Sequence, residues 1–159
     1  KKMSILTMGN EIKSKQKLIG VDLFEKNSTI NSNEISSFYL TYIGDALFEL
    51  WCRQKILQSY QTRKIVHNFV VQLVRCQNQA QIAKIILPHL TPEEKKIYLQ
   101  GRNGKVISIP KHATVREYRQ ANGFECLVGY FFVKKKAKRF EQLMNNKEVV
   151  EHMEAVLKK

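Results

Sequence analysis

Glycine and proline are scarce in this chain, seven and three in 159 residues. Few punctuators mean few forced turns, which argues against a many-stranded β fold and for helices. Acidic residues are also few, 14 Asp and Glu against 27 Lys and Arg, for a formal net charge of +13 and a pI near 9.8. An excess of that size points to a polyanionic partner, nucleic acid ahead of an anionic membrane, and says nothing about fold. The three cysteines, Cys52, Cys76 and Cys126, are far apart, and no Cys-x-x-Cys pair or Cys/His cluster is present. The expectation is reduced thiols, with no zinc and no disulfide. No apolar run approaches the roughly 20 residues of a membrane span, and the lysine-bearing start lacks the sustained apolar stretch of a secretory signal. A soluble protein with no membrane partner is expected, of single-domain length and long enough to bury a core.

Residues 1–32 read as an N-terminal extension ending in the Asn/Ser-rich linker "EKNSTINSN". Asn31 with Glu34 resembles a helix-capping arrangement. Beyond it Tyr42, Ile43, Ala46, Leu47, Leu50 and Trp51 recur at helical spacing and predict a helix. Thr41, Asp45, Glu49 and Arg53 form another stripe of the same helix, with Glu49 placed to pair with Arg53. Two helices follow through "TRKIVHNFVVQLVRC" and "NQAQIAKIILPHL", the second stopped near Pro88. "TPEE" opens a helix at Thr91 that is expected to run to about Leu99. "GRNGKVISIPKHA", 101–113, reads as a loop, and "TVRE" opens a long helix at Thr114. The basic run "KKKAKR" and one or two short helices complete an all-α class.

Two carboxylates stand out. Asp45 interrupts an apolar stretch that otherwise runs to Glu49, and Glu125 is followed by eight uncharged residues. An unpaired buried carboxylate is costly unless it is hydrogen-bonded or bound to a metal. Asp45 can be read as part of a polar stripe; Glu125, with only Asn122 one turn before it, is harder to explain that way. If two helices crossed with Asp45 opposite Glu125, the pair would repel unless a divalent cation bridged them. Mg²⁺ takes few carboxylates, keeps several waters and meets phosphate oxygens. Beside a basic loop, such a site points to metal-assisted phosphodiester hydrolysis.

"YIGDALFEL" resembles the signature helix of the ribonuclease III catalytic domain, and "GFECLVGYFF" resembles that family's second acidic motif. The stretch "GRNGKVISIPKHATVREYRQANGFECLVGY" is similar to the Mini-III branch, a stand-alone catalytic domain, and the resemblance covers about residues 33–145. It implies a helical, dimeric ribonuclease III endonuclease-domain fold over 33–159, without a double-stranded-RNA-binding domain. It also implies hydrolysis of double-stranded RNA to 5′-phosphate and 3′-hydroxyl ends with a short 3′ overhang, in the maturation of precursor large-subunit ribosomal RNA. Asp45 and Glu125 would be catalytic residues and ligands of Mg²⁺, with Mn²⁺ able to substitute. Full-length relatives carry two more carboxylates where this chain has Thr41 and Asn122, a departure shared with Mini-III. A bacterial cytoplasm is implied, with the plastid stroma as the alternative.

The basic loop and the helix after it supply Arg102, Lys105, Lys111, Arg116 and Arg119, five positive charges in eighteen residues against one acid, Glu117. With Asn103, which could reach a 2′-hydroxyl, they form the expected RNA-binding set. A-form RNA hides its base edges, so such residues meet phosphates and 2′-hydroxyls and read shape. The competing reading is a catalytically inactive member of the same fold serving as an RNA-binding or ribosome-associated scaffold; the two missing acids favour it. A scaffold has no need of Asp45 and Glu125.

Overall fold

The computed structural model describes residues 35–58, 62–106 and 108–158. Within them lie seven α-helices: α1 (Ser37–Leu57), α2 (Arg63–Leu73), α3 (Cys76–Ile86), α4 (Pro92–Arg102), α5 (Val115–Val133), α6 (Ala137–Met144) and α7 (Lys147–Leu157), with a 3-10 turn at Leu87–His89. The all-α expectation holds. The Asn31–Glu34 arrangement lies outside the described residues; α1 is instead capped by Ser36, whose hydroxyl accepts from the Tyr39 N–H at 3.2 Å.

Two helix starts follow from short sequence signals. At α4 the Thr91 N–H donates to Glu94 Oε2 (2.9 Å) while Glu94 N–H donates to Thr91 Oγ1 (3.2 Å). At α5 Thr114 and Glu117 make the same reciprocal pair at 2.8 and 3.2 Å. Each box satisfies main-chain donors that the helix itself cannot.

The C-terminal end of α4 differs from the expectation. The helix does not stop at Leu99 but runs through Gly101 to Arg102, with Asn103 as its C-cap. Gly101 is not a loop opener. It is buried where α4 meets α5, and a Cβ there would sit 2.3 Å from the Cys126 Cβ. The absent side chain lets the helices touch.

The buried residues of α1 are Leu40, Gly44, Phe48, Trp51, Cys52 and Ile56, whereas Tyr42 and Leu50 are 73% and 42% exposed. Of the apolar positions at helical spacing only Trp51 is buried, and Ile43 and Leu47 are half-buried. Glycine and cysteine add little to an apolar pattern, so the buried stripe, spaced by four, was hidden among stronger hydrophobes.

Helix α5 lies at the centre and packs against α1, α4 and α3; α7 closes the far side against α3 and α2. Phe48 of α1 meets Phe124 of α5 edge to face, centroids 4.9 Å apart. Two members of the basic run hold the fold. Lys136 donates to the Tyr130 hydroxyl (2.7 Å), and Arg139 binds Glu94 through Nε and Nη2, both at 2.9 Å. No helix among the described residues is long and apolar enough to cross a membrane.

Candidate active site

The crossing of α1 over α5 places the two singled-out carboxylates. It is a main-chain contact: a Cβ on Gly44 would lie 1.8 Å from the Glu125 carbonyl oxygen, and one on Gly129 would lie 2.1 Å from the Leu40 carbonyl oxygen. Only glycines permit that approach. With Gly44 against Glu125, the next residue on α1, Asp45, comes opposite the Glu125 side chain, and the two carboxyl groups share a hydrogen bond. Asp45 is not buried by its own helix, as its apolar neighbours suggested. It opens into a cleft of about 610 Å³, with Glu125 deeper in the wall.

The electrostatics follow from that placement. Burial, then the charge of Asp45, pushes the Glu125 carboxyl up to about 8, against donation from Gln79. Asp45 is raised as well, by the packing around it and by Glu49, while its hydrogen bond with Glu125 pulls the other way. Two carboxylates this close cannot both ionise freely, so near neutral pH the pair retains a proton. Among the described residues no Lys or Arg forms an ion pair with either. Glu49 is engaged elsewhere, accepting from Arg53 Nε at 3.0 Å as its spacing predicted.

The remaining residues divide. Lys105 lines the cleft with Thr41 and Asn122. Arg102, Lys111, Arg116 and Arg119 are exposed but do not line it. Asn103 faces a shallow groove on the outer side of α4 with Lys95, Lys96 and Gln100. The loop between α4 and α5 is tied to α3 where Gln77 Nε2 donates to the His112 carbonyl.

Sequence reasoning passed over Cys76, Tyr118 and Gln79. Cys76 and Tyr118 line the cleft, and the Cys76 thiol is pushed up to about 11 by burial and by Glu117 and Glu125. All three cysteines are free. Gln79 is 1% exposed and reaches Glu125. In "QNQAQ" nothing distinguishes it from its neighbouring glutamines except helical phase. Among the described residues no group of three or more His, Cys, Asp or Glu could hold a metal, so a cation here would rest on two carboxylates and otherwise on water and substrate.

Comparison with known proteins identifies the family. A family model described as the ribonuclease III domain matches residues 39–136. A Mini-ribonuclease 3 of a Thermoanaerobacter species is 40% identical over 112 residues, covering 70% of this chain and 77% of the relative. The Mini-ribonuclease 3 of Enterococcus faecalis is 34% identical over 115 residues, covering 70% and 87%. A crystal structure of a Fusobacterium nucleatum protein superposes with a TM-score of 0.65 at 29% identity, covering 69% of this chain and 85% of that one. The model match includes the α1–α5 crossing and both carboxylates, and the chain therefore belongs to the ribonuclease III domain family, in its Mini-ribonuclease 3 branch.

Proposed function

We propose that this protein cuts double-stranded RNA in a Mg²⁺-dependent reaction and that precursor large-subunit ribosomal RNA is its substrate. It is an endoribonuclease, a hydrolase of RNA, by family. The observation that carries the metal reading is the Asp45–Glu125 pair, two carboxylates brought together at a cleft with no basic side chain paired to either among the described residues. Such a pair suits a small hard cation with one or two carboxylate ligands and several waters. Asp45 and Glu125 would hold Mg²⁺, or Mn²⁺ in its place. When bound, the ion supplies a polarised phosphate and a water of lowered pKa. Thr41 and Asn122 add no charge, so water and substrate phosphate complete the shell.

The chain's own cations do the positioning. Lys105, at the cleft, meets a phosphate next to the cut; Arg102, Lys111, Arg116 and Arg119 follow the backbone away from it, with Asn103 towards a 2′-hydroxyl. Contacts of this kind read A-form shape, so cleavage takes place with little regard for sequence; the 5′-phosphate ends are what the family resemblance implies. Binding should weaken steeply with salt, the log of affinity falling by roughly 0.9 per neutralised phosphate for each log unit of salt, with duplex DNA as the guide. Filter binding across a salt series measures the slope, and a flat one sinks this role for the loop.

The outer face of α1 supports a homodimer. Phe38, Tyr42 and Leu50 are exposed at 68%, 73% and 42%. Leu47 and Leu50 line an apolar groove with Phe132 and Phe140. Phe38 and Tyr42 line the cleft beside Asp45, so the groove at Leu47 and Leu50 is the surface offered to a second copy, and two copies joined there would offer two active sites to one duplex. The compartment would be that of the ribosomal precursor, a bacterial cytoplasm. The scaffold alternative leaves the carboxylate pair without a purpose.

The deciding experiment uses labelled double-stranded RNA and precursor ribosomal RNA with Mg²⁺. Wild type should cut both, and the cuts should vanish in EDTA and in Asp45→Asn. RNA that shifts but stays intact with every sample would favour the scaffold.

A further inference from the structure

Besides the two carboxylates, the cleft holds a group that neither the fold nor the metal reading uses, the phenol of Tyr118. Tyr118 lies one turn before Asn122 and two turns before Glu125 on one face of α5, and all three line the cleft. Its ring is half-buried in the wall. Its hydroxyl has no hydrogen-bond partner among the described residues. Tyr130, on the same helix, is the contrast, because its hydroxyl accepts from Lys136 at 2.7 Å. A phenylalanine would fill the same wall at position 118, so packing gives no reason for the oxygen there. Lys105 enters the same cleft from the loop. An open O–H donor beside a lysine, in a cleft of about 610 Å³, suits the phosphate oxygens of a nucleic-acid backbone.

We propose that Tyr118 is a substrate-binding residue whose hydroxyl donates to a phosphate oxygen of the RNA beside the cut. The proposal rests on this cleft being the active site. Two turns of helix, about 10 Å of rise, separate Tyr118 from Glu125. The phenol therefore meets a neighbouring phosphate and leaves the one at the cation to the carboxylates. Being neutral, it releases no counterion when RNA binds, unlike Lys105. Its contribution is a factor in affinity that salt does not change. With Lys105 it fixes the register of the strand along the cleft, and it takes no part in breaking the bond.

Tyr118→Phe removes the hydroxyl and keeps the ring. Its melting temperature should equal that of the wild type. In EDTA, where the RNA stays uncut, its affinity for double-stranded RNA should fall by about tenfold, the lower end for a hydrogen bond to a charged group. The salt slope should be that of the wild type, whereas Lys105→Met should flatten it by about 0.9. In Mg²⁺ the loss should appear in KM, and the Mg²⁺ needed for half-maximal cleavage at saturating RNA should stay the same. Duplexes with single methylphosphonate linkages near the cut locate the contact. At one linkage the replacement should cost the wild type about tenfold more than it costs the variant. Wild-type affinity and KM in Tyr118→Phe would overturn the proposal, as would equal losses for the two proteins at every linkage. So would a lowered melting temperature, which would make the hydroxyl part of the fold. Asp45→Asn tests the underlying reading separately. Cutting at the wild-type rate there removes the active site from this cleft; lost cutting beside an indifferent Tyr118→Phe removes only the role of the tyrosine.

Discussion

Glu94 and Glu125 are both withdrawn from water, yet their surroundings are opposite. Glu94, 3% exposed, accepts from the Thr91 main chain at the start of α4 and from two nitrogens of Arg139. The guanidinium also donates to the His89 carbonyl at 2.7 Å, so one arginine fastens α6 to the start of α4. That carboxyl is held below its ordinary range, chiefly by the Arg139 hydrogen bonds. Glu125 faces another carboxylate and is pushed up to about 8, first by burial and then by the charge of Asp45. A buried charge with its partner in place is part of the architecture. One set against its like is a cost the fold would shed if stability alone mattered, which is why such groups cluster at working sites.

The sharpest test exchanges charge for amide at each glutamate. Glu125→Gln should lower cleavage of double-stranded RNA by roughly two to three orders of magnitude, on the scale of losing a principal electrostatic group at an active site. The variant should remain folded. Glu94→Gln should leave cleavage near wild type at low temperature. Activity in the first variant equal to wild type would break the comparison, as would loss in a folded form of the second.

Next in size is the Arg139 clamp. Arg139→Met leaves Glu94 buried beside an apolar stem and should cost about 2–3 kcal/mol, the lower end for a broken buried pair because Arg139 keeps some exposure. Urea denaturation measures it. A loss below half a kilocalorie would make the clamp ornamental.

The effects of pH differ in sign. Glu94, lowered in the folded state, contributes stability above its ordinary value of 4.5 and loses it as pH falls below that value. Glu125, raised to about 8, keeps in the folded state a proton that the unfolded chain has released above 4.5. Its contribution is therefore lost as pH rises from about 4.5 to about 8, and Asp45 shifts in the same direction. Scanning calorimetry of the metal-free protein should show a higher melting temperature near pH 5.5 than at pH 8. Glu125→Gln should reduce that difference, and Arg139→Met should reduce the loss on the acid side. An unchanged profile in Glu125→Gln would place the proton elsewhere.

Much of this was legible in the chain. Asp45 and Glu125 stood out as lone charges in apolar stretches, and the two Thr-x-x-Glu boxes marked the starts of α4 and α5 because capping involves neighbours three residues apart. The face of α1 that carries Tyr42 and Leu50 was not legible as exposed, because apolar residues on an outer face have the same helical period as those of a core. Gly101 was misjudged because a glycine that opens a loop and one that admits a neighbouring helix look alike in sequence.

By itself the sequence determined the helical class, the positive field, the caps and the residue types at the site, all properties of composition or of neighbours along the chain. Only the tertiary structure decided that Gly44 and Gly129 bring α1 and α5 into main-chain contact and that Glu125 thereby meets Asp45. Those relations depend on which faces of separate helices meet. Helical period leaves that choice open, and close packing settles it through contacts between residues far apart in the chain.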